Sequence, residues 1–149
     1  MYTHILIPTD GSDFAQKGVE HGLALAKALG SKVTIITASE VLVTPKMMGD
    51  FGSVTVTSEL DRLKSVFKAQ GDEVLLKARS GAEKLGLPVD TIYVSDIKPA
   101  DAIIETAREQ GCDLIVMASH GRRGIQRLIL GSQTAEVVAT SSIPVLVVR

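Results

Sequence analysis

The chain has 149 residues, of which 45% are hydrophobic and 22% are charged, and these values are typical of a globular protein rather than a disordered chain. Sixteen basic and 17 acidic side chains give a net charge of −1, and the aromatic residues are three Phe and two Tyr, so composition does not favour nucleic-acid binding. The single cysteine cannot form an intrachain disulfide, and no apolar run approaches the ~20 residues of a membrane span. We therefore expect a cytoplasmic protein that is not inserted in a membrane.

Five short segments rich in β-branched and aliphatic residues predict buried parallel strands at 2–7, 32–37, 89–94, 114–118 and 145–148. Helical patterns between them predict helices at 13–29, about 58–85, 99–110 and 132–140. This alternation predicts one α/β domain, residues 1–149, with a doubly wound, five-stranded parallel sheet and helices on both faces. We expect the strand order 3-2-1-4-5.

One connection in this pattern is long and shows no regular periodicity. It covers residues 39–57 and contains two methionines and two glycines. A structureless connection of that length in a compact domain is either a variable insertion or a lid over a site, and the sequence leaves both interpretations open.

In a doubly wound sheet, ligands bind beyond the carboxyl ends of the strands, at the point where the strand order reverses. For the predicted order, that point lies between the first and fourth strands. The segments that follow these strands, residues 8–12 and 119–124, are both irregular and both contain glycine. We therefore expect the ligand site to form from these two segments.

The loop before the last helix and the start of that helix have the features of an anion site. Gly131 and Ser132 open the helix, whose free N–H groups favour negative charge, and the hydroxyls of Ser132 and Thr134 would add donors. No acidic residue lies between positions 113 and 136, whereas three arginines do: Arg122, Arg123 and Arg127. These features predict phosphate binding.

Each of these features also has a structural alternative. Ser132 is a good helix N-cap, Gly121 and Gly124 suit a tight turn, and three arginines on a loop are usually solvated. His120 suits a hydrogen bond within the loop, and Asp10 in Thr-Asp-Gly-Ser suits an Asx turn. Residue spacing alone leaves ligand binding and structural roles both open.

The sequence resembles the universal stress protein family over its whole length. The resemblance is carried by residues 5–12 at the start (ILIPTDGS), 117–121 (MASHG), 130–132 (LGS) and 143–148 at the end (IPVLVV). It implies a flavodoxin-like α/β fold and a homodimer. Family members that bind ATP carry Gly, two residues, Gly, nine residues, and Gly followed by Ser or Thr. Here Gly121, Gly131 and Ser132 match, whereas Ala118 stands at the first glycine.

Carried over position by position, the resemblance implies that Asp10 holds the ribose hydroxyls and that Ala38 and Met117 line the adenine pocket. Backbone groups of Pro8, Thr9 and Ala38 would read the base edge. The predicted nucleotide-binding residues are Pro8, Thr9, Asp10, Ala38, Met117, Ala118, His120, Gly121, Arg122, Gly131, Ser132, Gln133 and Thr134. The predicted cofactor is ATP, with or without Mg²⁺. We predict no dedicated metal site, and Asp10 is the one weak candidate for Mg²⁺.

The motifs of enzymes that act on nucleotides are missing from the sequence. It contains no P-loop and no protein-kinase signature, and its three histidines show no metal-ligand spacing. We expect no efficient catalysis, with slow ATP hydrolysis left open. Together with these absent motifs, the resemblance implies an ATP-binding regulatory module that acts as a homodimer in the stress response. The alternative is a stress-linked dimeric interaction protein that binds no nucleotide, and Ala118 is the position that separates the two.

The last predicted strand supports a homodimer independently. It lies at the edge of a 3-2-1-4-5 sheet, yet Val145, Leu146, Val147 and Val148 are all apolar. Bare apolar edges are an aggregation hazard, and two-fold pairing with the same strand of a second copy would cover this one. A cover formed by a loop or helix of the same chain is the alternative.

Overall fold

The computed structural model describes residues 1–50, 53–122 and 130–149. Strands and helices alternate in the order β1 (His4–Pro8), α1 (Asp13–Leu29), β2 (Lys32–Ser39), α2 (Pro45–Asp50), α3 (Ser53–Lys84), β3 (Val89–Ser95), α4 (Pro99–Glu109), β4 (Leu114–Ala118), α5 (Ser132–Thr140) and β5 (Val145–Val148). The five strands form a parallel sheet of order β3-β2-β1-β4-β5, which confirms the predicted fold class and strand order.

Helices cover both faces of the sheet. On one face, α1 and α3 pack against Ile5 and Ile7 of β1. On the other face, α4 and α5 pack against Leu6 of β1 and Ile115 of β4. Every residue of β1 and β4 is buried, which explains why these strands are continuously apolar rather than alternating. No helix within the described residues is long and apolar enough to cross a membrane.

Helix α1 approaches the sheet closely because glycine occupies the contact. A Cβ atom on Gly18 would lie 2.8 Å from the backbone nitrogen of Ala118, so any larger residue would separate α1 from β4. Ser12 is the N-cap of this helix, and its hydroxyl accepts a hydrogen bond from Ala15 N at 3.1 Å. The start of α1 is thereby held at the carboxyl edge of the sheet.

The prediction of a structureless connection over residues 39–57 is wrong. Strand β2 continues to Ser39, α2 occupies Pro45–Asp50, and α3 begins at Ser53. Pro45 is the first residue of α2, where its missing N–H would have no helical partner in any case. The four β-branched residues at 54–57 lower the intrinsic helix propensity, and for this reason the sequence pattern did not predict the start of α3. Val56 is 7% exposed, so tertiary packing supports this first part of the helix.

The opposite, amino edge of the sheet is fastened by Asp113, just before β4. Its carboxylate accepts hydrogen bonds from Thr3 N at 2.8 Å, Thr3 Oγ1 at 2.7 Å and His4 N at 3.0 Å. Desolvation alone would raise the pKa of Asp113, but the hydrogen bonds from His4 and Thr3 outweigh it and lower the pKa to about 2. The ionised carboxylate therefore ties β1 to β4 at the edge away from the candidate site.

Candidate functional site at the carboxyl edge of the sheet

Strands β1 and β4 diverge towards their carboxyl ends. They pair only at Ile5↔Leu114 and Leu6↔Ile115, whereas β1 pairs with β2 as far as Pro8↔Ile36. The strand order also reverses here, because the chain proceeds from β1 to β2 on one side and from β4 to β5 on the other. The crevice between β1 and β4 is therefore the switch point at which such folds bind ligands.

This crevice contains a cavity of about 410 Å³, and a volume of that size suits a small molecule. All thirteen predicted nucleotide-binding residues line it, although they come from separate parts of the chain: 8–10, 38, 117–122 and 131–134. Of the residues assigned to the predicted anion loop, Arg123, Gly124 and Arg127 lie outside the described part of the chain. The structure thus brings together the residues that the sequence singled out.

At one end of the cavity, strand β2 presents backbone groups that lie beyond its pairing with β1. Thr9 N donates to Ile36 O at 2.9 Å, so one of the Thr9 backbone groups that were predicted to read the base, the N–H, is already used within the sheet. Ala38 lies two residues beyond Ile36, and strand periodicity turns its N–H and C=O to the same side, past the last paired residue of β1. Ala38 packs against the apolar cluster that contains Ile103 and Met117, and all three residues line the cavity. This end therefore combines an apolar slot with one backbone donor and one backbone acceptor.

Asp10 lies in the middle of the cavity wall and links its two sides. Its Oδ1 accepts from Ser12 N at 2.9 Å, which is the Asx turn of the structural alternative, and its Oδ2 accepts from Arg122 N at 2.6 Å. A Cβ atom on Gly121 would overlap this carboxylate, so a larger residue there would displace the Asp10 side chain from its present position. Gly11 follows with φ +79°, a conformation that favours glycine. Because a carboxylate has about four lone-pair sites, Asp10 keeps acceptor capacity towards the cavity.

The other end of the cavity is the start of α5. The N-cap is Gly131 rather than Ser132, so the alternative role of Ser132 as the N-cap is wrong. The first helical hydrogen bond runs from Ala135 N to Gly131 O at 2.8 Å, and the N–H groups of residues 132–134 precede it. Three N–H groups and the positive end of the helix dipole therefore meet at the cavity, as an anion requires.

Two side chains at this end of the cavity form hydrogen bonds within the protein rather than facing a ligand. The hydroxyl of Thr134 donates to Ala118 O at 2.9 Å, so the predicted donation of this hydroxyl to phosphate is wrong, and Thr134 offers its backbone N–H instead. The side chain of Gln133 turns to α4, where its Oε1 accepts from Ala100 N at 2.9 Å. Both contacts anchor the first turn of α5 to neighbouring elements.

His120 stands beside this end of the cavity. Its Nδ1 lies 2.9 Å from Ser119 Oγ, and its ring centroid lies 6.1 Å from that of Phe14. The hydrogen bond agrees with the structural alternative for His120, and the residue also lines the cavity. Its ring therefore helps to hold the β4 loop against the start of α1.

Ala118 replaces the first glycine of the ATP-binding pattern without closing the cavity. Side chains alternate along β4, so Ala118 shares the face of Leu114 and Val116, whereas Met117 points to the α4 side. The residue is 8% exposed and lies where Gly18 lets α1 approach. The cavity of about 410 Å³ exists with this methyl group in place.

Sequence reasoning missed the wall that α3 contributes. Phe67, Gln70, Gly71 and Val74 line the cavity, and their i, i+3, i+4, i+7 spacing is that of one helical face. A Cβ atom on Gly71 would overlap the ring of Tyr93, so glycine brings α3 against β3. A glycine within this apolar helical stripe was the signal available in the sequence, but the stripe is equally typical of core packing.

Among the described residues, two acidic side chains line the cavity rather than one. Glu40, which follows β2, lines it together with Asp10, and sequence reasoning did not include this residue. Within residues 1–50, 53–122 and 130–149, no three His, Cys, Asp or Glu side chains converge as metal ligands. A divalent cation at this site would therefore need further ligands from a bound phosphate or from water.

Comparison with known proteins agrees with the resemblance. The model of the universal stress protein family matches residues 1–149. The universal stress protein MJ0531 of Methanocaldococcus jannaschii is 32% identical over 149 residues, covering 100% of this chain and 83% of that protein. The solved structure of the protein MJ0577, from the same organism, superposes with a TM-score of 0.83 at 28% identity, covering 99% of this chain and 96% of that one. A universal stress protein solved in complex with cAMP has a TM-score of 0.69 at 26% identity, covering 99% and 97%.

Proposed function

This chain belongs to the universal stress protein family, and from that premise we propose that it is a cytoplasmic regulatory module that binds ATP and acts as a homodimer in the stress response. One observation carries the proposal: all thirteen residues predicted to bind nucleotide line a single cavity at the switch point of the sheet. The relative solved with cAMP supports an adenine nucleotide as the ligand class.

The proposed pose follows the chemistry along the cavity. The adenine ring would lie against Ile103 and Met117 and exchange hydrogen bonds with the backbone of Ala38. The ribose hydroxyls would donate to Asp10, whose carboxylate is already oriented by two backbone N–H groups. The phosphates would accept from the N–H groups at residues 132–134, where the dipole of α5 favours negative charge. Mg²⁺ would be held chiefly by the phosphates, with Asp10 as the nearest candidate carboxylate.

The proposed role is regulation rather than catalysis, because nucleotide occupancy shifts a protein between states that bind it differently. The start of α5 is connected to α4 through Gln133, and the Lys98 ammonium lies 2.6 Å from Glu136 of α5. Helix α5 leads directly into the edge strand β5. An anion at the start of α5 would therefore act on the helix that precedes the proposed dimer interface.

The proposed interface is the outer edge of β5. Pro144 O accepts from Ile115 N of β4, and Val148 O accepts from Ser119 N just after β4. Strand alternation therefore turns the N–H and C=O groups of Val145 and Val147 to the free edge. Leu146 is 43% exposed although it is apolar. Pairing with β5 of a second copy would satisfy these backbone groups and cover the side chains.

The experiment that tests ATP binding is calorimetric titration of nucleotide-free protein with Mg·ATP. Release of adenine nucleotide from the purified protein on denaturation would be a second readout. Gly131→Val should abolish binding, because a Cβ atom at this position would already lie 3.2 Å from Ser119 O and the branched side chain would stand at the start of α5. Gly81→Val is the matched control, since Gly81 lies in α3 with nothing within 4 Å of its Cβ position.

Absence of both heat and bound nucleotide, in protein shown by circular dichroism to be folded, would refute ATP binding. The chain would then be a dimeric interaction protein without nucleotide, the alternative that Ala118 raises. Ala118→Gly tests that position directly. We expect this substitution to change the Kd for ATP by no more than about threefold, which corresponds to less than about 1 kcal/mol of binding free energy.

A further inference from the structure

A second cavity, of about 360 Å³, adjoins the first. The two share Gln70, Val74 and Arg122, and the second adds Gly11, Glu73 and Lys77 to its lining. None of its described lining residues belongs to α5, so its described lining does not include the N–H groups proposed to hold the 5′ phosphates. It lies instead between α3 and the turn that follows Asp10.

Two cationic side chains face this second cavity. The side chain of Arg122 passes over the turn, with one guanidinium nitrogen 3.7 Å from the Cβ position of Gly11, and Lys77 projects from α3. The salt bridges formed by the described residues include neither of them. A planar guanidinium and an ammonium group that line one cavity are suitable donors for a phosphate, with Gln70 as a neutral hydrogen-bonding residue in the same lining.

The position of this cavity relative to Asp10 indicates how a phosphate would reach it. Asp10 lines the first cavity, Gly11 lines the second, and Arg122 joins both, since its backbone N–H donates to Asp10 while its side chain faces the second. If Asp10 receives the ribose hydroxyls, as the proposed function has it, the adjoining space lies on the 2′,3′ side of the sugar. The 5′ side points to α5.

We propose that the second cavity binds a phosphate carried on the 2′ or 3′ oxygen of the ribose, so that the protein accepts adenosine bisphosphates as well as ATP. The inference rests on the proposed function, because the adenosine moiety must first occupy the first cavity. Glu73 and Asp10 oppose the added charge while Arg122 and Lys77 favour it, so the gain comes from direct hydrogen bonds rather than from net charge. Because the cavity is solvated, the gain decreases as salt is added.

The test is calorimetric titration of the wild-type chain with AMP, adenosine 3′,5′-bisphosphate and adenosine 2′,5′-bisphosphate at one ionic strength. We expect one of the two bisphosphates to bind about tenfold more tightly than AMP, which corresponds to about 1.4 kcal/mol, and its identity tells which oxygen carries the phosphate. Lys77→Met should remove this advantage and leave the AMP affinity unchanged, because Lys77 does not line the first cavity. Lys84→Met, on the last turn of the same helix, should keep the advantage.

The outcomes separate this inference from the proposed function. Tight binding of AMP with no advantage for either bisphosphate would overturn the second site and leave nucleotide binding intact. An advantage that Lys77→Met and Lys84→Met reduce equally would also overturn it, since the effect would then be one of general charge. Failure of ATP, AMP and both bisphosphates to bind would overturn the proposed function and this inference together.

Discussion

Replacing Asp10 by alanine tests two roles of its carboxylate, the proposed contact with the ribose and the hydrogen bonds that it accepts from the backbone. The carboxylate accepts two backbone hydrogen bonds, from Ser12 N at 2.9 Å and Arg122 N at 2.6 Å, and it lines the cavity where the ribose is proposed to lie. A hydrogen bond to a charged group contributes about 1.5–3 kcal/mol, so loss of the ribose contact should weaken ATP binding about 10- to 150-fold.

The same substitution should affect the stability of the protein only moderately. Two bonds to a buried carboxylate would together contribute about 3–6 kcal/mol, but Asp10 is half-buried and Arg122 is exposed, so water can replace much of both. We expect a net loss of about 1–2 kcal/mol in the free energy of unfolding. For a chain of this length, that corresponds to a fall in Tm of roughly 2–8 °C.

Calorimetric titration with Mg·ATP measures the first effect, and thermal unfolding of the nucleotide-free protein measures the second. Asp13→Ala is the matched control, because Asp13 is the next acidic residue along the chain but does not line the cavity. An unchanged ATP affinity together with a lower Tm would refute the reasoning and assign Asp10 to the Asx turn alone.

Three further outcomes are expected. Gly18→Ala should lower the free energy of unfolding, measured in urea, by about 1–3 kcal/mol, because the added Cβ would lie 2.8 Å from Ala118 N. Gly81→Ala, in open space on α3, should raise the same free energy by up to about 1 kcal/mol. Equal effects of the two substitutions would contradict the packing argument. The folded pKa of Asp113 is about 2, below its ordinary value, so its contribution to stability is present above about pH 4 and is lost as the pH falls towards 2. Asp113→Asn should therefore reduce the pH dependence of the free energy of unfolding, measured in urea, over this range. An unchanged slope would contradict this role of Asp113. Leu146→Lys should dissociate the proposed dimer, as measured by light scattering at micromolar concentration, and a monomeric wild-type protein would end the β5 proposal.

Much of the fold was predictable because its signals are local. The near-continuous apolar runs of β1, β2 and β4 predicted buried parallel strands, and the alternation with helices predicted a doubly wound sheet. The structure has the strand order 3-2-1-4-5 that we expected for such a sheet. The start of α3 was missed because the β-branched residues at 54–57 are poor intrinsic helix formers. Burial of Val56 shows that packing outweighed this local preference.

The candidate site was predictable as a set of residues but not as a set of contacts. Glycine spacing and the resemblance at both ends of the chain identified the residues that meet at the cavity. Neither could indicate that Thr134 donates its hydroxyl to Ala118, or that Gln133 turns towards α4, since these partners lie 16 and 33 residues away in the chain. The wall from α3 was hidden for a related reason, because Phe67 and Val74 have the same spacing whether a helix faces a core or a cavity.

The sequence by itself determined the parallel sheet, the family and the segments that surround the switch point, because periodicity and motif spacing act over a few residues along the chain. Only the tertiary structure decided how those segments meet: that Gly121 leaves space for the Asp10 carboxylate, that Gly131 rather than Ser132 caps α5, and that Arg122 reaches a second cavity beside α3. The physical reason is that these outcomes depend on distances between elements remote in the chain, which steric exclusion and hydrogen bonding set only after the sheet has assembled.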